Sequence, residues 1–221
     1  MEPHPDQSRS ALPLTHSQRQ IWTSQQLAPD APLYNTPFTF RIRGPIDVDR
    51  FGQAVAAAVQ RCDALRMVLV PEVEGFPGIA APEFDYSLPF RDLSTEADPE
   101  SAMEGVLAGL SERTFEPDGV LFHSLLIRLA ADDHVWFLNQ HHLVTDAWSV
   151  TVIFRFVEAC YRALSRDEPL PVAPSFTDFV TYERDSRERH REAEVYWKSR
   201  SEGLGTPAPE DDPEITTEAA L

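Results

Sequence analysis

The chain has 221 residues, enough for one generous domain with a real buried core. Its 36 Asp and Glu against 19 Lys and Arg leave a net charge of −17, a field that repels nucleic acid and argues against DNA or RNA as a partner. No apolar run reaches the ~18 residues that a membrane helix needs, and no basic-then-apolar signal opens the chain, so a cytoplasmic protein away from the membrane is expected.

Residues 1–10 are polar, carry prolines and read as a disordered leader. A folded segment is expected over 11–204. Thr15-His16-Ser17-Gln18 has the form of a capping box and opens a helix through about Leu27, with Ile21 and Trp22 on its apolar side. Pro29, Pro32 and Asn35 mark a loop. Phe38, Phe40 and Ile42 then alternate with Thr39, Arg41 and Arg43, the period of a half-buried strand, and Gly44-Pro45 ends it. Asp47 or Asp49 caps the next helix, whose apolar stripe is Phe51, Val55, Ala58, Val59 and Cys62.

Residues 65–70 read as a strand, and the Pro- and Gly-rich stretch 71–95 as an excursion with one short strand. A helix is expected from about 99 to 113. Two strands, 121–129 and 135–140, are joined by a turn at Ala131-Asp132-Asp133. In the helix after Asp146, Trp148, Val152, Phe156, Cys160 and Leu164 recur at a spacing of about four. Ser175-Phe176-Thr177-Asp178 looks like a second capping box, leading a charged helix whose last turn holds Tyr196 and Trp197. From Gly205 onward there is no Lys or Arg, and 205–221 is expected to be an acidic disordered tail. Cys62 and Cys160 sit in apolar helical contexts and read as buried thiols. Strands and helices mix without strict βαβ alternation, and no Gly-rich phosphate loop follows a strand. The expected fold is α+β, a mixed β-sheet flanked by helices.

His141 and His142 stand where an apolar strand meets an apolar helix, a place that can present a side chain titrating near neutral pH. Successive strand side chains point to opposite faces, so one histidine is expected to be structural and the other, His142, to face a cleft. The same geometry argues against a metal, because zinc ligands must converge on one point. On the residues alone, two buried histidines satisfied by backbone is an equally good account. Asp146 could orient a histidine, cap the following helix or pair with an arginine. Arg66, in an otherwise apolar stretch, needs a partner, and an Arg66–Asp146 pair holding the His142 turn is expected.

His141-His142-Leu143-Val144-Thr145-Asp146-Ala147-Trp148-Ser149 resembles the HHxxxDGxS motif of the condensation domains of nonribosomal peptide synthetases. Leu14-Thr15-His16-Ser17-Gln18-Arg19-Gln20-Ile21-Trp22 is similar to that family's opening helix. Arg61-Cys62-Asp63-Ala64-Leu65-Arg66 resembles its RHExLRT segment, with Cys62 and Asp63 for the usual His and Glu. Phe115 to His123 is similar to FDLxxGPLxR, with His123 replacing the Arg. Tyr196-Trp197 followed by Gly203-Leu204 resembles YWxxxLxGL.

The resemblance implies a chloramphenicol-acetyltransferase-like N-terminal subdomain whose C-terminal counterpart is missing. It implies amide or ester formation between thioesters carried on the phosphopantetheine arms of carrier proteins, with no cofactor or metal bound directly. His142 is the implied catalytic residue, as base or as hydrogen-bond donor. His141, Asp146, Arg66, Ala147, Trp148 and Ser149 support it. Activity would then need a complementary C-terminal half or self-association. Ala147 stands where the motif has glycine; it would narrow the site if that glycine makes room for a substrate, and would be harmless in ordinary helical backbone. Two further readings keep the fold but not the chemistry: a carrier-docking or scaffold module, or an inactive truncated remnant.

Overall fold

A computed structural model describes residues 11–116 and 119–202 of the chain. The leader expected at 1–10 and the tail expected at 205–221 lie outside the described residues. The chain divides into two compact units, Met1–Glu183 and Arg184–Leu221.

The first unit is built on a four-stranded sheet. β2 (Asn35–Arg43), β6 (Phe122–Ala130), β7 (Asp133–His141) and the short β5 (Phe90–Asp92) lie in the order β2-β7-β6-β5. The first three are antiparallel, and β5 joins β6 in parallel. β2 alternates between half-buried and exposed positions along 38–43, as its period requires. β7 is buried along almost its whole length, because helices cover both of its faces.

On one face lie α2 (Val48–Arg61) and α4 (Ala147–Arg166), packed against Trp136, Leu138, Phe122 and Leu126. Trp136 is buried there and donates its indole N–H to Ser124 Oγ at 2.8 Å. On the other face α3 (Pro99–Ser111) covers Leu125, Ile127, Val135 and Phe137. The Asp47 carboxylate caps α2 and that of Asp98 caps α3, each by accepting a main-chain N–H three residues on.

A second, three-stranded sheet has the order β1-β4-β3, from β1 (Leu12–Pro13), β3 (Val68–Val73) and β4 (Phe76–Ala80). Glu74 and Gly75 join β3 to β4, both with positive φ (56° and 82°), the geometry of a two-residue hairpin turn. The stretch expected to hold one short strand therefore holds two, β4 and β5. The strand expected at 65–70 begins only at Val68, because Asp63–Arg66 winds into a 3₁₀ turn. Leu14, Met67, Ile79, Leu121, Leu143, Val144 and Val180 form the core beside this sheet.

The face of α4 differs from expectation. Val150, Ile153, Val157, Cys160 and Ala163 are buried, whereas Trp148 is 72% exposed and Val152 is also outward. Apolar residues occur around much of this helix, and the sheet beneath selects the stripe through 150 and 153. The helix expected after Ser175 is two helices, α5 (Phe176–Asp185) and α6 (Arg187–Ser201).

Candidate active site

β7 ends at His141, and α4 begins at Ala147. The five residues between make a tightly bonded turn. Val144 donates its N–H to His141 O at 3.0 Å, and His142 donates its N–H to Tyr34 O at 2.8 Å. Leu143 and Val144 are buried in the second core. From α1 (His16–Gln25), the buried Gln18 donates Nε2–H to Leu143 O at 2.8 Å. Gln18 also completes the capping box with Thr15, accepting the Thr15 N–H at 3.0 Å while Thr15 Oγ1 accepts the Gln18 N–H at 3.2 Å. One side chain thus closes the start of a helix and holds the histidine turn.

The two histidines are in different states. His141 is buried, and its Nδ1 accepts the Leu143 N–H at 3.1 Å. Burial, and then the neighbouring His142, push its pKa down to about 4, so the ring is neutral at physiological pH. Tyr34 and Phe115 lie against it with ring centroids 6.0 Å away, Phe115 edge-on. His142 is half-buried, and among the described residues nothing hydrogen-bonds its imidazole. The Tyr34 ring stands edge-on to it at 6.5 Å. His141 is fixed in the fold, and the His142 imidazole is left unbonded among the described residues.

Asp146 caps α4. Its Oδ1 accepts the Ser149 N–H at 2.7 Å and the Ser149 hydroxyl at 2.6 Å. Those two bonds from Ser149, with the nearby His142, hold its carboxyl below the usual carboxylate range. The expected Arg66–Asp146 pair is not formed. Arg66 instead donates Nη1–H to Ala81 O and Pro82 O, each at 3.1 Å. The 3₁₀ turn at Asp63–Arg66, where a strand was expected, aims Arg66 at that stretch of main chain.

Ala147 is the first helical residue of α4 and is exposed. Among the described residues the only non-glycine positions with positive φ are Glu74 and Asp167. The backbone at Ala147 therefore does not require glycine. Trp148 projects outward one residue further on.

Three side chains around the turn were not singled out as site residues. Tyr34 touches both histidines, and no motif marks it. Phe115 and His123 stack face to face, with centroids 4.7 Å apart; both belong to the FDLxxGPLxR-like stretch. Burial, and then Arg113, lower the His123 pKa. Two surface cavities, of about 630 and 670 Å³, lie in the first unit, and neither is lined by His141 or His142. Among the described residues no three His, Cys, Asp or Glu side chains gather as a metal would require. No described helix is long and apolar enough to cross a membrane.

The condensation-domain family model matches residues 8–218, and this chain belongs to that family. It is 32% identical over 203 residues to one of the linear gramicidin synthase proteins of Brevibacillus parabrevis, matching 87% of this chain and 3% of that protein. It is 32% identical over 211 residues to an isonitrile lipopeptide synthase of Streptomyces coeruleorubidus, matching 90% of this chain and 14% of that protein.

The fold agrees. The starter condensation domain of rhizomide synthetase RzmA superposes with a TM-score of 0.78 at 24% identity, over 86% of this chain and 48% of that one. The first condensation domain of the CDA synthetase superposes with a TM-score of 0.73 at 25% identity, over 88% and 51%. The chain thus spans about half of the solved condensation domains and a small part of its curated relatives.

Proposed function

We propose that this chain carries the histidine-bearing half of an amide-forming centre that joins two carrier-bound thioesters in nonribosomal peptide synthesis. The observation that carries this reading is the division of labour at the turn. His141 is locked by Leu143 and neutral, while the His142 imidazole is left without a hydrogen-bond partner among the described residues.

In the proposed step, the amine nitrogen of one substrate attacks the thioester carbonyl of the other. The C–N bond forms and the C–S bond breaks. The amine proton moves to the His142 imidazole and from there to the departing sulfur, which leaves as a thiol. Asp146 is given no part in this transfer; its Oδ1 is held by Ser149 in capping α4. It fixes the direction in which α4 leaves the turn. The phosphopantetheine arms of two carrier proteins bring the thioesters. A complementary condensation half, or a second copy of this chain, provides the opposite wall, which holds the two substrates in line and excludes water. The work is done in the cytoplasm.

The test is a condensation assay with one acyl-loaded and one aminoacyl-loaded carrier protein, read by mass spectrometry. The chain completed by its complementary half gives an amide product; the His142→Ala form of that assembly gives none, and neither does the 221-residue chain alone. Product from the His142→Ala assembly would remove the catalytic assignment. Product from the isolated chain would remove the need for a second half.

A further inference from the structure

A histidine that moves a proton is usually aimed by a hydrogen bond to its second ring nitrogen. The His142 imidazole has no hydrogen bond among the described residues, so what packs against it has to do the aiming. Among the described residues the aromatic ring in contact with it is that of Tyr34, perpendicular to it with centroids 6.5 Å apart. Perpendicular rings at such a separation attract edge to face. A flat ring on one side also narrows the rotamers open to the imidazole. The same Tyr34 ring lies tilted by 46° against His141, 6.0 Å away. It therefore touches the locked imidazole and the unbonded one together.

The main chain of Tyr34 acts on His142 as well. Tyr34 is the residue before β2, and its carbonyl oxygen accepts the His142 N–H at 2.8 Å. That bond carries the β2–β7 ladder one step past the Asn35–His141 pair.

Tyr34 is itself held from both sides. Asn35 donates Nδ2–H to Ser111 O at 2.7 Å and to Arg113 O at 3.0 Å, which ties the start of β2 to the end of α3. The Asn35 N–H also closes a turn on Pro32 O at 3.2 Å, with Leu33 and Tyr34 as its middle residues. Earlier in the loop, Gln25 donates Nε2–H to Ala28 O at 2.8 Å and to Ala31 O at 3.0 Å. Tyr34 is half-buried, and its hydroxyl has no hydrogen bond among the described residues. What Tyr34 brings to the turn is its ring and its carbonyl.

We infer that Tyr34 is a positioning residue for the proposed condensation centre: its carbonyl fixes the His142 backbone, and its ring holds the His142 imidazole in one orientation. The inference rests on the reading of His142 as the proton carrier. Tyr34 acts through His142 and takes up no proton itself. Orientation matters here because a misplacement of about 1 Å can cost a reaction about a hundredfold in rate.

Two measurements test this on Tyr34→Leu, which keeps apolar bulk without a flat ring, and on Tyr34→Phe, which keeps the ring. The first is the side-chain rotamer of His142 in the chain, from three-bond couplings in protein carrying isotope-labelled histidine, with the signal assigned by its loss in His142→Ala. The parent and Tyr34→Phe show one rotamer, and Tyr34→Leu shows an average. A residue that only stabilised the fold would lower the Tm and leave the rotamer of the folded chain unchanged. The second is amide formation by the completed assembly. Tyr34→Leu lowers kcat about tenfold and leaves the KM for the loaded carriers within about twofold, and Tyr34→Phe restores kcat. Should Tyr34→Leu fail to fold, Tyr34→Met is read in the same way. The inference is wrong if His142 keeps one rotamer in Tyr34→Leu, if kcat is undiminished there, or if Tyr34→Phe behaves as Tyr34→Leu does. The rotamer measurement needs no turnover, so it stands or falls apart from the condensation reading, which fails if His142→Ala still gives amide.

Discussion

The turn at His141–His142 and the turn at Asp63–Arg66 are built alike. Each sets one saturated side chain beside one that is not fully satisfied: the His142 imidazole has no hydrogen bond among the described residues, and Arg66 is bonded through Nη1 but not through Nε. His141 is locked by Leu143, and Asp63 by five donors from Ala64 and the start of α5. His142 and Arg66 are the unsatisfied members. The difference between them lies in burial. His142 is half exposed and tolerates solvent; Arg66 is buried and does not. On the proposed function, the saturated His141 carries stability and the unsatisfied His142 carries the chemistry.

Substitutions at the saturated members should therefore produce the largest losses. Asp63→Ala orphans five donors, four at the start of α5 and one at Ala64, and urea unfolding is expected to show a loss of about 4 kcal/mol. A loss below about 1 kcal/mol would mean that Asp63 is not the anchor its bonds suggest.

His141 comes next. Its folded pKa of about 4 lies below the ordinary value of about 6.5, so the unfolded chain takes up its proton first as pH falls. Its contribution is complete above pH ~6.5 and is lost as pH falls from there through ~4, amounting to about 3 kcal/mol. Asp63, held below the carboxylate range, adds a further loss at still lower pH. His141→Asn should flatten the profile between about pH 6.5 and 4. An unchanged slope would assign the pH dependence to other groups.

Smaller effects belong to Arg66 and Asp146. Each replaced by Ala should cost about 1 kcal/mol, Asp146 through its lost helix cap and Arg66 through its two carbonyl bonds. Because the structure does not join them, a double-mutant cycle should give a coupling below about 0.5 kcal/mol. A coupling well above that would restore the pair expected from the sequence.

How much of this was legible in the sequence follows from how local each signal is. The alternation at Phe38, Phe40 and Ile42, the hairpin around Asp132 and the Thr15–Gln18 capping box are all local, and all are present. The Glu74-Gly75 turn was missed because Glu at its first position hides a conformation that Asn or Asp usually signals. On α4, apolar residues at 148 and 152 compete with those at 150 and 153, and only the sheet beneath decides between them. The two turns depend on distant chain. Gln18 meets Leu143 across 125 positions, and Asp63 meets Ser175 across 112. The Arg66 partners were misassigned for the same reason, since nothing near residue 66 reveals where 81 and 82 will pass. The motif did identify the family; His141 is buried and His142 half-buried, but β7 ends at His141, so the contrast comes from the turn and not from the strand alternation that was expected to separate them.

The most direct test of the division between the two histidines is a paired measurement on His142→Ala and His141→Ala. Each variant is assayed for unfolding free energy as the chain and for amide product in the completed assembly. His142→Ala should leave stability within about 0.5 kcal/mol of the parent and abolish product, whereas His141→Ala should lose about 2 kcal/mol or more of stability. A His142→Ala chain that is strongly destabilised, or an assembly carrying it that still makes amide, would contradict the account.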